Sequence, residues 1–127
     1  MDINKYKIYA PTVVRIGVSL VMLWFGLNQL FDSSSWIGYL PEFALNLPLE
    51  ATTVVMFNGI FETIFGLALL LGLFTRFVAF ILTLHLLGII STLGYNEIAV
   101  RDFGLMLAMF SVFLHGPDKY CLETKWK

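Results

Sequence analysis

The chain has 127 residues, of which 58% are hydrophobic and only 13% charged. Soluble domains run nearer half apolar and a quarter charged, so a water-soluble globule of this length has no room to hide so much apolar side chain. The formal net charge of −1 excludes electrostatic nucleic-acid binding, the apolar content excludes disorder, and a small one-domain integral membrane protein is what remains.

Four apolar stretches follow in order, at about residues 12–31, 51–74, 77–94 and 98–116. Each is close to the ~20 residues that cross ~30 Å of hydrocarbon. Period-2 alternation is absent, so the spans read as helices rather than barrel strands. The first is too long for a cleaved signal peptide, lacks an A-x-A end and is followed by three more spans.

The long connection, residues 32–50, carries Trp36, Leu40, Phe43 and Leu47 at helical spacing, with Pro41 and Pro48 to open and close a short helix. It reads as helical turns on the bilayer surface, with Trp36 and Tyr39 at headgroup level. Residues 72–76 are a tight hairpin, in which Gly72 ends one helix and Thr75 caps the next. Tyr95, Asn96 and Glu97 join the last two spans as closely. The fold class is therefore an all-α, antiparallel four-transmembrane-helix bundle with an interfacial helical loop between spans one and two.

Lys5, Lys7, Arg15, Arg76, Lys119, Lys125 and Lys127 fall at the end of the termini and the second connection, and only Arg101 falls at the other. Seven against one predicts both termini in the cytoplasm. Cys121, the only cysteine, then stays reduced. A lone thiol makes no internal disulfide and no four-ligand zinc set, so electron transfer needs a bound cofactor or a partner protein.

Each span also carries a polar or small stripe. These are Arg15, Ser19, Met22, Gly26 and Gln29 in the first, and Asn58, Glu62 and Gly66, with Gly59 beside them, in the second. The third has His85, Gly88 and Thr92, and the fourth Arg101, Gly104, Ala108, Ser111 and His115. Such stripes let helices approach and bond across, so all four are expected to face inward. Glu62 and His85 lie near mid-span. An ionised group there costs about 2.5–3.5 kcal/mol on insertion scales, so Glu62 needs partners. Arg101 and Asp102 are adjacent, hence about 100° apart around a helix, and read as poor partners. Arg101 is expected to reach Glu62, Asn58 or an outside ligand.

Ordinary structural roles compete with these readings. Glu62 also reads as a lock between helices, His85 as a core imidazole, and Arg15 as an arginine snorkelling to headgroups. Arg76 reads as a topology anchor, His115 as interfacial, Asn28 and Gln29 as a cap on the bundle, and Cys121 as an inert tail thiol. A metal built from Glu62 and His85 alone lacks ligands, so no metal site is assigned.

Several runs resemble a known family. They are Arg15 early in span one with Phe25-Gly26-Leu27-Asn28-Gln29-Leu30 at its end, Phe61-Glu62-Thr63-Ile64-Phe65-Gly66-Leu67 followed by Leu71-Gly72-Leu73-Phe74-Thr75-Arg76, Arg101-Asp102-Phe103-Gly104, and Gly116-Pro117-Asp118-Lys119-Tyr120-Cys121-Leu122-Glu123. Together they resemble the DoxX family of small four-helix membrane proteins. The chain has Phe25 and Gln29 where that family often has His and Lys, and Gly-Pro-Asp where its tail usually reads Gly-Pro-Gly.

The resemblance implies a protein of the prokaryotic cytoplasmic membrane. It includes relatives in thiosulfate:quinone oxidoreductase, in oxidative-stress and thiol redox complexes, and in non-enzymatic cargo or assembly roles. The expected function is a quinone-linked redox subunit with Glu62 and His85 as proton-handling residues. Asn58, Arg101, Asp102, Gln29 and Arg15 are the ligand-binding candidates. Quinone is the candidate cofactor, and the bilayer, a redox protein and a second copy are candidate partners. A scaffold or assembly factor is the alternative, and a small transporter ranks last, because no inverted repeat or broken span is evident.

Overall fold

A computed structural model describes residues 2–126; Lys127, counted above with the basic end, lies outside the described residues. Among the described residues the regular elements are all helical: α1 (Ala10–Phe31), α2 (Glu42–Leu45), α3 (Ala51–Leu71), α4 (Thr75–Leu93), α5 (Glu97–His115) and α6 (Leu122–Trp126). A 3-10 segment, Ile3–Tyr9, runs directly into α1. Four helices, α1 with that lead, α3, α4 and α5, are long and apolar enough to cross a membrane. Pro11 in the first turn of α1 uses a position where no backbone donor is needed.

The helices form an antiparallel bundle in which α1 packs chiefly on α3 and α4 chiefly on α5, with α1–α5 and α3–α4 contacts completing it. Val18, Met22, Leu69, Val78, Ala79, Leu82, Leu86, Met109 and Val112 make the core. Lipid tails are as apolar as these side chains, so close packing, more than burial from water, holds spans together. Glycine allows that closeness at the α1–α3 crossing. A Cβ on Gly59 would stand 2.9 Å from the Gly26 carbonyl oxygen and 3.0 Å from the Gln29 Cβ.

The expected stripes of the first two spans are the faces that meet. Arg15, Ser19, Met22, Gly26 and Gln29 are buried on α1, and Gly59, Glu62 and Gly66 on α3, with Asn58 half-buried beside them. The other two stripes require correction. The buried face of α4 is Thr75, Val78, Ala79, Leu82 and Leu86, and that of α5 is Ala99, Asp102, Met109 and Val112. Gly88, Thr92, Arg101, Gly104, Ser111 and His115 are exposed, and His85 and Ala108 half-buried. Between their ends the α4–α5 contact is apolar, Val78, Ala79, Leu82 and Leu86 with Met109 and Val112, so it leaves no polar periodicity to read.

The long connection forms helical turns in two pieces, Ser33–Tyr39 and α2, broken at Leu40 and Pro41, both extended. Pro41 has no backbone donor to continue the first piece. Trp36 packs edge-on against Phe25 and Trp24 of α1, which folds this segment back onto the bundle.

At the opposite end the C-terminal segment clasps three helices. Arg15 Nε donates to Asp118 Oδ2 at 2.6 Å, while its Nη1 donates to the carbonyls of Leu69 and Leu70 at the end of α3. Arg15 is 2% exposed. The reading of a snorkelling arginine is therefore corrected: fixed acceptors inside the bundle replace headgroups. Gly72, with φ 75°, ends α3 as expected. Its positive φ and its contact with Cys121 leave no space for a side chain. Thr75 is the first residue of α4 rather than its cap. Its backbone N–H donates to the Glu123 carboxylate at 2.7 Å, and the Glu123 N–H donates to the Gly72 carbonyl. Cys121 is fully buried beneath this turn.

Burial opposes ionisation of Asp118, but hydrogen bonds from Arg15 and the Tyr120 backbone N–H, with the Arg15 charge, outweigh it and hold the carboxyl below its ordinary value of 3.8. The unfolded chain therefore takes up this proton first as pH falls. The stabilisation is complete above about pH 3.8 and is lost as pH drops from there through the folded-state value. Asp118→Asn, which leaves Arg15 buried without its counter-charge, is expected to lower stability at pH 7 by about 3–5 kcal/mol. Thermal unfolding in detergent, followed from about pH 7 down through 3.8 and below, checks this. The gap between wild type and variant should shrink in acid.

Candidate functional site

The Gly26–Gly59 approach places the outer part of α1 against α3 where Gln29, Asn58 and Glu62 share the interface. Gln29 lies seven residues beyond Met22 on the same face, and Asn58 precedes Glu62 by one turn. Gln29 Nε2 donates to Glu62 Oε2 at 2.8 Å and to the Phe25 carbonyl at 3.1 Å. Asn58 Nδ2 donates to Gln29 Oε1 at 2.6 Å and to Glu62 Oε1 at 3.1 Å. Because the Phe25 carbonyl can only accept, the Gln29 amide is fixed with its nitrogen toward Glu62, and its oxygen then fixes Asn58.

α4 supplies the fourth member. His85 Nε2 lies 2.9 Å from Glu62 Oε1, and its ring packs on Phe61 at 4.7 Å between centroids. Glu62 is 3% exposed. Its two oxygens thus meet Gln29, Asn58 and His85, drawn from three helices. His85 Nδ1 has no hydrogen-bond partner among the described residues, and the His85 side chain is 19% exposed. With Nε2–H given to Glu62, Nδ1 is the position free to exchange a proton with a bound molecule.

His85 lines a cavity of about 930 Å³, together with Gln29, Asn58 and Glu62 on one side and Trp24, Phe25, Trp36, Tyr39 and Phe43 toward the long connection. Arg101 and Asp102 line it from α5. Contrary to the expectation that they are poor partners, they meet: Arg101 Nη2 lies 3.4 Å from Asp102 Oδ1. The arginine is long enough to fold back across the angle between adjacent positions. Its guanidinium lies 5.4 Å above the Phe25 ring, and it makes no hydrogen bond to Glu62 or Asn58 among the described residues.

Of the sequence candidates, the structure brings together Gln29, Asn58, Glu62 and His85, sets Arg101 and Asp102 around the same cavity, and places Arg15 in the clasp at the far end. Sequence reasoning missed the aromatic wall, in which it put Trp36 and Tyr39 at headgroup level, and the Phe61 support of His85, for which the sequence carries no local signal.

The family model for DoxX matches residues 10–94. The chain belongs to the DoxX family. The match contains the four residues of the Glu62 cluster, whereas Arg101, Asp102 and the Asp118 clasp of this DoxX protein lie beyond it. No curated protein and no solved structure matches the chain.

Because the cluster depends on the glycine crossing, Gly59→Val is expected to drive α1 and α3 apart and to cost about 1–3 kcal/mol by overpacking. Gly104→Ala, where an added methyl meets open space, should leave stability level or raise it. Melting temperatures of both variants in one detergent provide the comparison.

Proposed function

We propose that this DoxX protein is the membrane subunit of a quinone-linked redox system, and that the cavity beside Glu62 receives a quinone head group. The observation that carries this reading is a histidine in the wall of an aromatic-lined cavity, with one ring nitrogen held by a buried glutamate and the other without a partner among the described residues. Flat rings stack on such walls, and the volume falls within the roughly 300–1,000 Å³ usual for small-molecule sites. Reduction of a quinone takes two electrons and two protons. A thiosulfate or thiol oxidised on a partner protein supplies the electrons. His85 passes protons from Nδ1, Glu62 orients it, Gln29 and Asn58 hold Glu62, and Arg101 with Asp102 flanks the entrance. In this reading the basic end faces the cytoplasm of a prokaryote, both termini are inside, and the cavity opens toward the outer leaflet.

A second reading, a non-enzymatic scaffold, draws support from the same bonds. Glu62 ties α1, α3 and α4 together, and α3 and α4 share little other contact.

Glu62→Gln separates the two. In the redox reading, protein purified in mild detergent carries co-extracted quinone. Thiosulfate-dependent quinone reduction, assayed in native membranes so that the partner protein is present, should then fall about 100-fold in the variant, with helicity retained. Purified wild type without co-extracted quinone, in membranes no more active than those lacking the chain, ends the redox reading. Unchanged turnover together with lowered melting temperature or partner retention establishes the scaffold instead.

A further inference from the structure

The hydrogen bonds around the cavity leave one carboxylate oxygen of a mostly buried side chain open to a ligand. Three buried polar side chains line it: Gln29, Glu62 and Asp102. Gln29 uses its nitrogen on Phe25 and Glu62 and its oxygen on Asn58. Glu62 meets three partners over its two oxygens. Asp102 differs. Its side chain is 10% exposed, and its hydrogen bonds among the described residues come from Arg101 alone, both at 3.4 Å and both onto Oδ1. The Oδ2 atom accepts none. Arg101 is itself 60% exposed and engaged with the Phe25 ring, so Asp102 is a nearly buried carboxylate with a long, single-sided partner.

An anionic oxygen without a donor from the chain attracts a ligand donor and repels a ligand acceptor. The Arg101 guanidinium beside it disfavours an ammonium, since like charges repel, and leaves a neutral hydroxyl as the fitting donor. An O–H···O⁻ bond belongs to the short, strong class. His85 offers a second acceptor on the same cavity: in the tautomer that gives Nε2–H to Glu62, Nδ1 carries a lone pair.

Resting on the quinone reading above, we infer that the cavity is selective for the reduced form, with one quinol hydroxyl donating to Asp102 and the other facing His85. A quinone offers only acceptors to these positions and is held less tightly. The couple is quinone plus two electrons, from the thiosulfate or thiol donor, plus two protons, from solvent by way of His85, giving quinol. Tighter binding of the reduced member raises the potential of the bound couple, by ~30 mV for a tenfold preference, and so draws electrons toward the site.

The test is anaerobic calorimetry of duroquinone and duroquinol against the full chain in lipid nanodiscs, read as the ratio of the two dissociation constants. Wild type should favour duroquinol about tenfold. Asp102→Asn, which removes the anionic acceptor and supplies a donor for a quinone carbonyl, should bring the ratio near one, and Asp102→Glu should restore part of the preference. The ratio is taken within one preparation, so it does not depend on how much variant folds, and the wild-type ratio alone decides if the variant does not. Equal binding of both forms by wild type, or an unchanged ratio in Asp102→Asn, overturns the selectivity while leaving the quinone site standing. Binding of neither compound overturns both.

Discussion

A carboxylate in the hydrocarbon region persists only where fixed donors surround it, and Glu62 meets that condition through side chains from three separate helices. The requirement propagates outward. Gln29 reaches Glu62 only because two glycines let α1 and α3 approach to backbone contact. Asn58 is oriented by Gln29, and Gln29 by a carbonyl of its own helix. His85 is drawn to α3 although the α3–α4 contact is otherwise sparse. Within the Glu62 cluster one imidazole nitrogen is left without a partner among the described residues, on a residue that lines the cavity. The polar cluster and the cavity are thus one feature: the bonds that make the carboxylate tolerable also set the direction in which the site can act.

The two ends of the bundle solve the same electrostatic problem in different ways. At the far end, Arg15 and Asp118 neutralise each other in a short, buried pair, with the Leu69 and Leu70 carbonyls taking the Nη1 donors. At the cavity end, Arg101 and Asp102 also pair, yet over a longer distance and with the arginine largely exposed. A closed pair locks the C-terminal segment across α1 and the α3–α4 turn; an open pair borders a space a molecule can enter. Identical residue types serve opposite purposes because burial differs, not chemistry.

That difference marks how far the sequence could be read. The stripes of α1 and α3 were legible because a close helix crossing needs small residues, and a membrane-buried carboxylate needs amide partners one turn apart. Both leave a 3–4 periodicity. The stripe of α5 misled for the converse reason: Met109 and Val112 pack on α4 without polar atoms, and in lipid an apolar face carries no mark of which way it points. Gly104 and Ser111 therefore looked like an interface and are exposed. The clasp was illegible in another way. Arg15 and Asp118 are 103 positions apart, and no local pattern pairs them. Topology placed both at the basic end, where a headgroup seemed the nearer partner.

The same accounting separates the roles of the two carboxylates at the cavity. Glu62 receives bonds from every side, so a ligand gains little by approaching it and much by approaching the histidine it holds. Asp102 receives bonds on one oxygen only, from a side chain that a modest movement carries away. A group that is already satisfied fixes geometry; a group that is not discriminates between ligands, since its desolvation is relieved by donors and aggravated by acceptors. Division of labour of this kind needs no additional chemistry from the chain. It follows from which helix crossing is tight enough to bring amide donors onto its carboxylate and which is not, and in this protein the tight crossing is the glycine-lined one between α1 and α3.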